Sequence, residues 1–362
     1  MTRDKLVFWF IKNFNAGHIS MCESNHNVNY DEPNIFHGEG TVWTHTMMVM
    51  TVIQEKNYDP IDNTILLTAA LLHDTGKPIC EELKEASDTK PIRNSFHGHE
   101  GVSTMIAVDV LKKLQKDFPN DYTDEVIKLI LQVISLHGVS IDGENSYLLE
   151  LRKSLRYADK MGACRNVDED IFSQYEKRKF IKHKPNPNKE LVLMVGLPCS
   201  GKSTYVENNF KDYVKISRDD LLLDQYNILM NTENKSDEFF DYAAKFGYNA
   251  AYRFIHETEE RLKKFNEFFD GFIRKVSKEN DKVLIDMTMM SLKSRRTMMN
   301  NFHNFTKHAV VCFTDSKSLQ KRNDLRSIKG KSIPNHVFMM MSKQFVMPVK
   351  EEGFETITLN IN

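Results

Sequence analysis

A basic, proline-containing stretch separates two halves of the sequence that follow different patterns. Residues 177–190, KRKFIKHKPNPNKE, contain five lysines, one arginine and two prolines, and proline cannot continue a helix. Before this stretch, apolar residues recur every three or four positions in TILLTAALLHD, VSTMIAVDVLKKLQKDF and DEVIKLILQVISLH, which predicts helices. After it, ELVLMVG, YVKIS, KVLIDMT and HAVVCFT are short β-type runs separated by helical stretches. We therefore predict an all-helical domain over 1–176, a linker over 177–189, and an α/β domain over 190–362 with a parallel sheet flanked by helices.

The composition limits the classes of protein to consider. A chain of 362 residues has room for two domains of about 100 to 200 residues each. The net charge of −1 supplies no global positive field, so contact with nucleic acid must come from local basic clusters. Five cysteines without a Cys-x-x-Cys pair argue against a disulfide framework and predict a reducing, cytoplasmic location. The early LVFWFI run is too short to span a membrane, and no targeting segment is visible.

The second half carries a phosphate-loop motif. GLPCSGKST, at residues 196–204, has the spacing Gly-x-x-x-x-Gly-Lys-Ser between a predicted strand and a predicted helix. The glycines let backbone N–H groups close around phosphates, Lys202 neutralises the β- and γ-phosphates, and the Ser203 hydroxyl reaches Mg²⁺. The alternative is a glycine-rich turn without function. We predict an ATP site built from Gly196, Ser200, Gly201, Lys202, Ser203 and Thr204.

An acidic pair follows the next predicted strand. ISRDDLL, at residues 216–222, places Asp219 and Asp220 where ligands gather in parallel α/β sheets. A carboxylate there can accept the proton of an attacking hydroxyl, although an Asp pair also caps helices. The segment resembles the Arg-Asp-Asp segment of phage and bacterial 5′-hydroxyl polynucleotide kinases. This resemblance implies that Asp219 is the general base and that Arg218 and Asp220 bind the acceptor. Leu222 stands where relatives often carry an arginine for the acceptor's 3′ phosphate.

Two later segments are similar to further parts of these kinases. VLIDMTMMSLKSRR resembles their strand and Asp-x-Thr turn, which implies Asp286 and Thr288 near the acceptor and an arginine, Arg295 or Arg296, in the following helix. Met289 stands where relatives often carry Asn.

LQKRNDLRSIKGKSIPNHVFMMMSKQFVMP resembles the kinase lid. The resemblance implies that Arg322 and Arg326 reach the triphosphate, with Arg326 stabilising the transition state. The alternative for both is a solvated basic helix face.

The first half carries an ordered set of histidines and aspartates. In chain order these are His45, His73, Asp74, His99, His137 and Asp159. Imidazole and carboxylate together suit Mn²⁺, Co²⁺, Ni²⁺ or Fe²⁺ better than an all-oxygen site would, and a bound metal presents hydroxide to phosphorus. The order resembles the HD-domain phosphohydrolase superfamily. Four of the six suffice for one metal, and adding His99 and His137, with Asp74 bridging, would hold two.

Three neighbouring residues complete the expectations for this half. Lys77 lies four residues after His73, so it shares a helix side if the helix continues through Thr75-Gly76 and could then hold the substrate's phosphate oxygens. His37 and His97 are alternative ligands, and the match to Gly-His-Glu favours His99 over His97.

The two halves in this order resemble the bifunctional HD-Pnk RNA end-healing enzymes. The resemblance implies removal of 2′,3′-cyclic phosphate or 2′-phosphate from RNA ends by the first domain. It implies phosphorylation of 5′-hydroxyl ends with ATP by the second, with DNA ends as an alternative acceptor and an RNA ligase as functional partner. A nucleotide-metabolism enzyme that joins a nucleotide phosphohydrolase to a small-alcohol kinase is the second reading. A third makes the first domain a nucleotide-sensing regulator.

Overall fold

The computed structural model describes residues 1–17, 40–85, 93–139, 146–163, 185–224, 250–327 and 332–362. They form two compact units. Unit 1 comprises Met1–Phe180 with Met339–Glu351, and unit 2 comprises Ile181–Phe338 with Glu352–Asn362. His37 lies outside the described residues. Among the described helices, none is both long enough and apolar enough to cross a membrane.

In its described residues, unit 1 is helical apart from one small antiparallel pair of strands. Its helices are α1 (Arg3–Asn13), α2 (Val42–Glu55), α3 (Pro60–Leu72), α4 (Lys77–Cys80), α5 (His99–Asp117), α6 (Asp124–Ser135) and α7 (Tyr147–Gly162). The strands are β1 (Glu82–Lys84) and β2 (Arg93–Ser95). Short polar side chains begin several helices by accepting backbone N–H groups that have no helical partner. These caps are Thr41, Asp59, Thr123 and Ser146.

Helix α3 is the centre of unit 1. Every residue from Thr64 to Leu72 is buried, because the helix packs against α2, α6 and α7. A helix that is apolar on all sides is stable only when it is surrounded. Its carboxyl end therefore delivers His73 and Asp74 into the middle of the unit. The sequence predicts helix through Asp74, but the helix ends at Leu72, and His73 is its C-cap.

Unit 2 contains a five-stranded sheet in which all neighbouring strands are parallel. Its strands are β3 (Asn186–Val195), β4 (Val214–Ile216), β5 (Lys282–Ile285), β6 (Phe305–Phe313) and β7 (Phe354–Ile361), in the spatial order β4-β5-β3-β6-β7. Its helices are α8 (Lys202–Asn209), α9 (Ala250–His256), α10 (Glu259–Glu279), α11 (Leu292–Met299) and α12 (Ser316–Ser327). A further helix, α13 (Asn335–Lys343), has its residues from Met339 onward in unit 1.

The predicted fold class, a helical domain followed by an α/β domain with a parallel sheet, is confirmed. The four strands predicted from sequence are present, with β3 already starting at Asn186 inside the stretch predicted as linker. The strand β7 was not predicted, although its apolar residues Phe354, Ile357, Leu359 and Ile361 give a partial two-residue alternation.

Candidate active sites

Six predicted side chains of unit 1 meet at one place. Helices α2 and α7 supply His45 and Asp159, the end of α3 supplies His73 and Asp74, α5 begins with His99, and His137 follows α6. Two groups of ligand atoms form there, each within 4.8 Å. The groups are His45, His73 and Asp159, and Asp74, His99 and His137. The exposed His97 is in neither group.

The Asp74 carboxylate links the two groups. Its Oδ1 lies 3.2 Å from His99 Nε2, while its Oδ2 lies 3.4 Å from His73 Nε2 and 3.7 Å from His45 Nε2. In the first group, His45 Nε2 is 2.9 Å from Asp159 Oδ1. One buried carboxylate therefore faces ligand atoms on both sides, the arrangement expected of a bridging ligand.

Backbone carbonyls orient three of the imidazoles. In each, Nδ1 lies at hydrogen-bond distance from the carbonyl three residues earlier. The pairs are His73 with Ala70 at 2.7 Å, His99 with Phe96 at 2.8 Å and His137 with Ile134 at 2.7 Å. A carbonyl only accepts, so each Nδ1 carries the hydrogen and donates it. Each Nε2 is then left with a lone pair directed into the site, as in metal-binding histidines.

The Nε2 lone pairs that face the site are suited to binding a divalent cation. His73 Nε2 is buried and has no hydrogen-bond partner among the described residues, which costs free energy unless something binds it. His99 Nε2 and His137 Nε2 lie 3.1 Å apart, so two lone pairs face each other when both rings are neutral. Imidazole nitrogen with carboxylate oxygen is a donor set for Mn²⁺, Co²⁺, Ni²⁺ or Fe²⁺. The residues present thus suit one or two such ions.

The surrounding charges keep the carboxylates ionised. Burial opposes ionisation of Asp74, but His73, Lys77 and His99 outweigh it and hold the pKa of this group well below its usual value. Burial likewise opposes ionisation of Asp159, and the neighbouring His45 and His73 imidazoles, 2.9 Å and 3.7 Å from its Oδ1, lower its pKa. Both carboxylates are therefore charged and able to bind a cation near neutral pH.

Lys77 reaches the site by a different route from the one predicted. The helix does not continue from His73, so the two residues do not share a helix side. Instead the chain turns, and Lys77 begins the short helix α4. Its side chain is only 6% exposed, and Nζ lies 2.7 Å from Asp74 Oδ2. The ammonium group is thus held beside the ligand atoms, where it can meet a phosphate oxygen.

Two residues near His137 and His99 were missed from sequence. Arg156 donates from Nε to the carbonyl of His137 at 2.8 Å, and Glu100 places a carboxylate oxygen 3.6 Å from His99 Nδ1. Arg156 lies three residues before Asp159, one helical turn away, so helical spacing could have found it. Glu100 is the last residue of the Gly-His-Glu match.

In unit 2, the phosphate loop follows β3 and begins α8. Its backbone has positive φ angles of 145° at Gly196, 66° at Cys199 and 95° at Gly201. At Gly196 the space also requires glycine, because an added Cβ would lie 2.4 Å from the Cys312 carbonyl oxygen. Such a loop turns successive N–H groups inward to bind an anion.

Lys202 lies buried inside this loop. Its ammonium group donates to the carbonyls of Gly196 at 2.9 Å and Leu197 at 2.7 Å. Burial lowers its pKa to about 8. The cation is therefore already positioned where phosphates would bind. Because its pKa is lowered, it loses its proton more readily than a lysine in water does.

The residues that follow strand β5 contact the loop and the start of α8. Ser203 Oγ donates to Asp286 Oδ2 at 3.4 Å, and the Thr288 carbonyl accepts from Gly196 N at 3.0 Å. Asp286 thus lies beside the hydroxyl expected to reach Mg²⁺, rather than only near the acceptor as the resemblance implies. A hydroxyl and a carboxylate are oxygen ligands of the kind Mg²⁺ prefers.

The two lid arginines lie against the loop. Arg322 Nη1 donates to the Cys199 carbonyl at 3.1 Å, and Arg326 Nη1 lies 3.3 Å from Cys199 Sγ. Both come from α12, four residues apart. The structure therefore brings these two predicted residues to the phosphate loop.

The acidic pair begins a helical segment over 218–224. Asp220 forms an ion pair with Lys215 at 2.7 Å, and Asp219 is exposed. The Arg218 guanidinium lies over the rings of Phe265 and Phe269, 4.8 Å and 5.1 Å from their centroids.

Leu222 is only 4% exposed. It is a core residue, so an arginine at this position would bury a charge rather than reach an acceptor.

Arg295 is fully buried and does not face an acceptor. It donates to Glu352 through Nε at 2.7 Å and Nη2 at 2.8 Å, and to the carbonyls of Met289 and Met290 at 3.1 Å and 3.2 Å. Met289 has a positive φ of 39°, a backbone conformation that Asn tolerates better than Met. Arg295 therefore holds the strained turn after Asp286, while Arg296 is exposed.

Comparisons with known proteins match each unit separately. Residues 42–165 match the model of the HD domain, and residues 191–348 match that of an AAA domain. The chain carries an HD domain followed by a P-loop kinase-like domain. A solved structure described as "a putative kinase from Chloroflexus aurantiacus J-10-fl" is 10% identical, with a TM-score of 0.31, and the match covers 48% of this chain and 86% of that one. A similarity of that size carries no argument about function.

The pKa of Lys202 predicts how nucleotide affinity depends on pH. Below about pH 8 the ammonium is protonated before and after binding, so affinity is constant. Above that pH, binding must take up a proton, and affinity for a non-hydrolysable ATP analogue will fall by up to about tenfold per pH unit. Calorimetry in two buffers of different ionisation enthalpy at pH 9 measures the proton uptake. Constant affinity from pH 7 to 9.5 without proton uptake would contradict the prediction.

The buried ion pair of Arg295 predicts a large effect on stability. Glu352→Gln leaves the guanidinium buried without its counter-charge, which lowers the free energy of unfolding by about 3 to 5 kcal/mol. Urea unfolding followed by circular dichroism measures it. The matched control is Glu260→Gln, which removes an exposed pair with Lys264 and should leave the transition where it is. A Glu352→Gln transition equal to the control's would show that the pair is not needed.

Proposed function

We propose that this protein heals RNA ends. Its HD domain removes a 2′,3′-cyclic phosphate or a 2′-phosphate, and its P-loop domain transfers the γ-phosphoryl group of ATP to a 5′-hydroxyl, leaving ends that an RNA ligase can join. The observation that carries the proposal is that one chain holds both an HD domain with a cluster of histidines and aspartates and a P-loop kinase-like domain. The bridging Asp74 with Lys77 supports phosphate removal, and Lys202 with the lid arginines supports phosphate transfer.

In the HD domain, we assign cation binding to the histidines and aspartates of the two ligand groups and phosphate binding to Lys77. His45, His73, Asp74 and Asp159 would hold one divalent metal, with His99 and His137 adding ligands for a second. A metal held in this way supplies hydroxide at neutral pH. The buried ammonium of Lys77, 2.7 Å from Asp74, binds a non-bridging oxygen of the phosphate and offsets its charge. This role requires a cation at that position, whichever substrate brings the phosphate.

In the P-loop domain, the exposed Asp219 carboxylate accepts the proton of the 5′-hydroxyl. The oxygen then attacks the γ-phosphorus, and ADP leaves. Lys202 and Arg326 stabilise the charge on the transferred group, and Arg322 binds the triphosphate. Ser203 and Asp286 would hold Mg²⁺, which neutralises phosphate charge when bound.

Acceptor recognition rests on Arg218 and its neighbours. Its guanidinium lies over two phenylalanine rings and donates from Nη2 to the Asn266 side-chain oxygen at 2.8 Å. Stacking fixes the plane of a guanidinium, which can then bind a phosphate oxygen of the acceptor strand. This is a local basic site of the kind required by a chain with a net charge of −1.

The first test compares single-site variants. Asp74→Ala should abolish phosphate removal and leave phosphoryl transfer within about twofold, because it removes the bridging ligand of one site only. Lys202→Ala should do the reverse. The assay uses RNA with a 5′-hydroxyl and a 2′,3′-cyclic phosphate, with ATP, Mg²⁺ and Mn²⁺, and free nucleosides in a parallel reaction. Equal loss of both activities in a folded variant would contradict the two-site model, and preference for free nucleosides would favour a nucleotide-metabolism enzyme.

A second test separates the two aspartates. Asp219→Asn removes the proposed base and should lower kcat of the kinase by about 10² to 10⁴. Asp220→Asn is the matched control, since its carboxylate already pairs with Lys215, and it should change kcat much less. Steady-state kinetics with a 5′-hydroxyl oligonucleotide measures both. If Asp220→Asn is the slower variant, the base assignment passes to Asp220.

A further inference from the structure

A segment from late in the chain forms part of unit 1. Met339–Glu351, which we call the returning segment, belongs to this unit although it follows the phosphate loop and lid in sequence. The match to the AAA domain runs to residue 348 and covers most of it. Three of its apolar side chains are almost completely buried, namely Phe345 at 1%, Met347 at 0% and Val349 at 1% exposed.

The returning segment packs directly on the first turn of α5, which begins with His99. The two glycines that flank this histidine leave room for it. An added Cβ on Gly98 would lie 2.7 Å from the Lys343 carbonyl oxygen, and one on Gly101 would lie 2.1 Å from the Ser342 carbonyl oxygen. Backbone thus meets backbone on both sides of His99. The first turn of α5 cannot shift without displacing the segment.

The same segment is hydrogen bonded to the last turns of α6, just before His137. Gln132 Nε2 donates to the Pro348 carbonyl at 2.8 Å, and Met347 N donates to Ser135 Oγ at 3.1 Å. All of these groups are buried. This turn also contains Ile134, whose carbonyl orients the His137 ring.

A third contact lies at the start of α7, where Ser146 Oγ donates to Glu351 Oε1 at 2.9 Å. Asp159 is thirteen residues further along that helix, about 20 Å away at 1.5 Å per residue. The contacts of the returning segment named here therefore lie next to His99 and His137, while its contact with α7 lies at the far end of that helix from Asp159.

We propose that the returning segment is a positioning element of the Asp74, His99 and His137 group. By packing on the start of α5 and the end of α6 together, it fixes the 3.1 Å approach of the two Nε2 atoms. Phe345 and Met347 do not touch a substrate in this proposal; they act through the two histidines. The proposal rests on the metal-binding part of the proposed function and not on RNA being the substrate.

The test measures Co²⁺ affinity of the full chain after metal removal, by calorimetry and by the visible absorption of the bound ion. Phe345→Ala and Ser135→Ala should each weaken Co²⁺ binding by about 10- to 100-fold, the usual effect of losing support behind a metal ligand. Ser135→Thr keeps the hydroxyl and should restore affinity. Phe10→Ala is the matched control, because Phe10 is a buried phenylalanine of α1 in the same unit, and it should change affinity by less than about twofold.

Combined variants test whether the returning segment affects Co²⁺ affinity through His99 and His137. If the segment acts through the two histidines, adding Phe345→Ala to a variant that carries both His99→Ala and His137→Ala should weaken Co²⁺ binding no further. Additive weakening, equal weakening by Phe10→Ala, or unchanged affinity in Phe345→Ala and Ser135→Ala would each overturn the proposal. Ser135→Ala keeps the test decisive if Phe345→Ala does not fold. The readout is metal affinity, so it gives its answer even if end healing is disproved.

Discussion

The pairing of the buried Asp74 carboxylate with Lys77 and His99 is the interaction on which the rest of unit 1 depends. An ionised carboxylate without partners is unstable in a protein interior. Here Lys77 lies 2.7 Å from one oxygen and His99 lies 3.2 Å from the other. These partners come from different elements, so α3, α4 and α5 must meet for the charge to be tolerated. The polar residues His73 and Asp74 at the end of α3 can be buried because the site supplies partners for them.

Unit 2 buries a cation in its candidate site, whereas unit 1 buries an anion. Its phosphate loop contains the buried Lys202 ammonium, and burial lowers the pKa of that group. Carbonyls of the loop and the nearby Asp286 partly compensate. A cation held in this way gains most when a phosphate arrives, because the phosphate supplies the missing counter-charge. Thus one unit keeps carboxylates ionised for cations, and the other keeps a lysine available for anions.

Local patterns in the sequence predict much of this arrangement. The helical periodicity before residue 177 and the β-type runs after it give the correct fold class, since both depend on neighbours along the chain. The ordered histidines and aspartates do meet, because α3 is apolar on every side and must lie at the centre. The spacing argument for Lys77 failed, however, since it assumed one continuous helix. Local sequence could not show that a turn of Thr75 and Gly76 would bring the lysine to Asp74 instead.

The sequence does not predict features that depend on contacts between residues far apart in the chain. Leu222 reads as a missing acceptor ligand from its motif position, but its burial shows a core residue. The motif resemblance leaves open whether Arg295 or Arg296 is the arginine that follows the Asp-x-Thr turn, and only the structure shows that Arg295 pairs with Glu352, 57 residues away. The hydrogen bond between Gln132 and Pro348 joins residues 216 positions apart, and no periodicity encodes such a pair.

The returning segment also changes where this chain can be divided. A cut in the basic stretch at 177–190 follows the change of sequence pattern, but it separates unit 1 from Phe345, Met347 and Val349. An isolated first half would therefore expose the apolar surface that these side chains cover and leave the Gln132 amide and the Ser135 hydroxyl without their partners in the segment. The unit that performs the proposed phosphate removal is thus defined by its packing and not by the first half of the sequence.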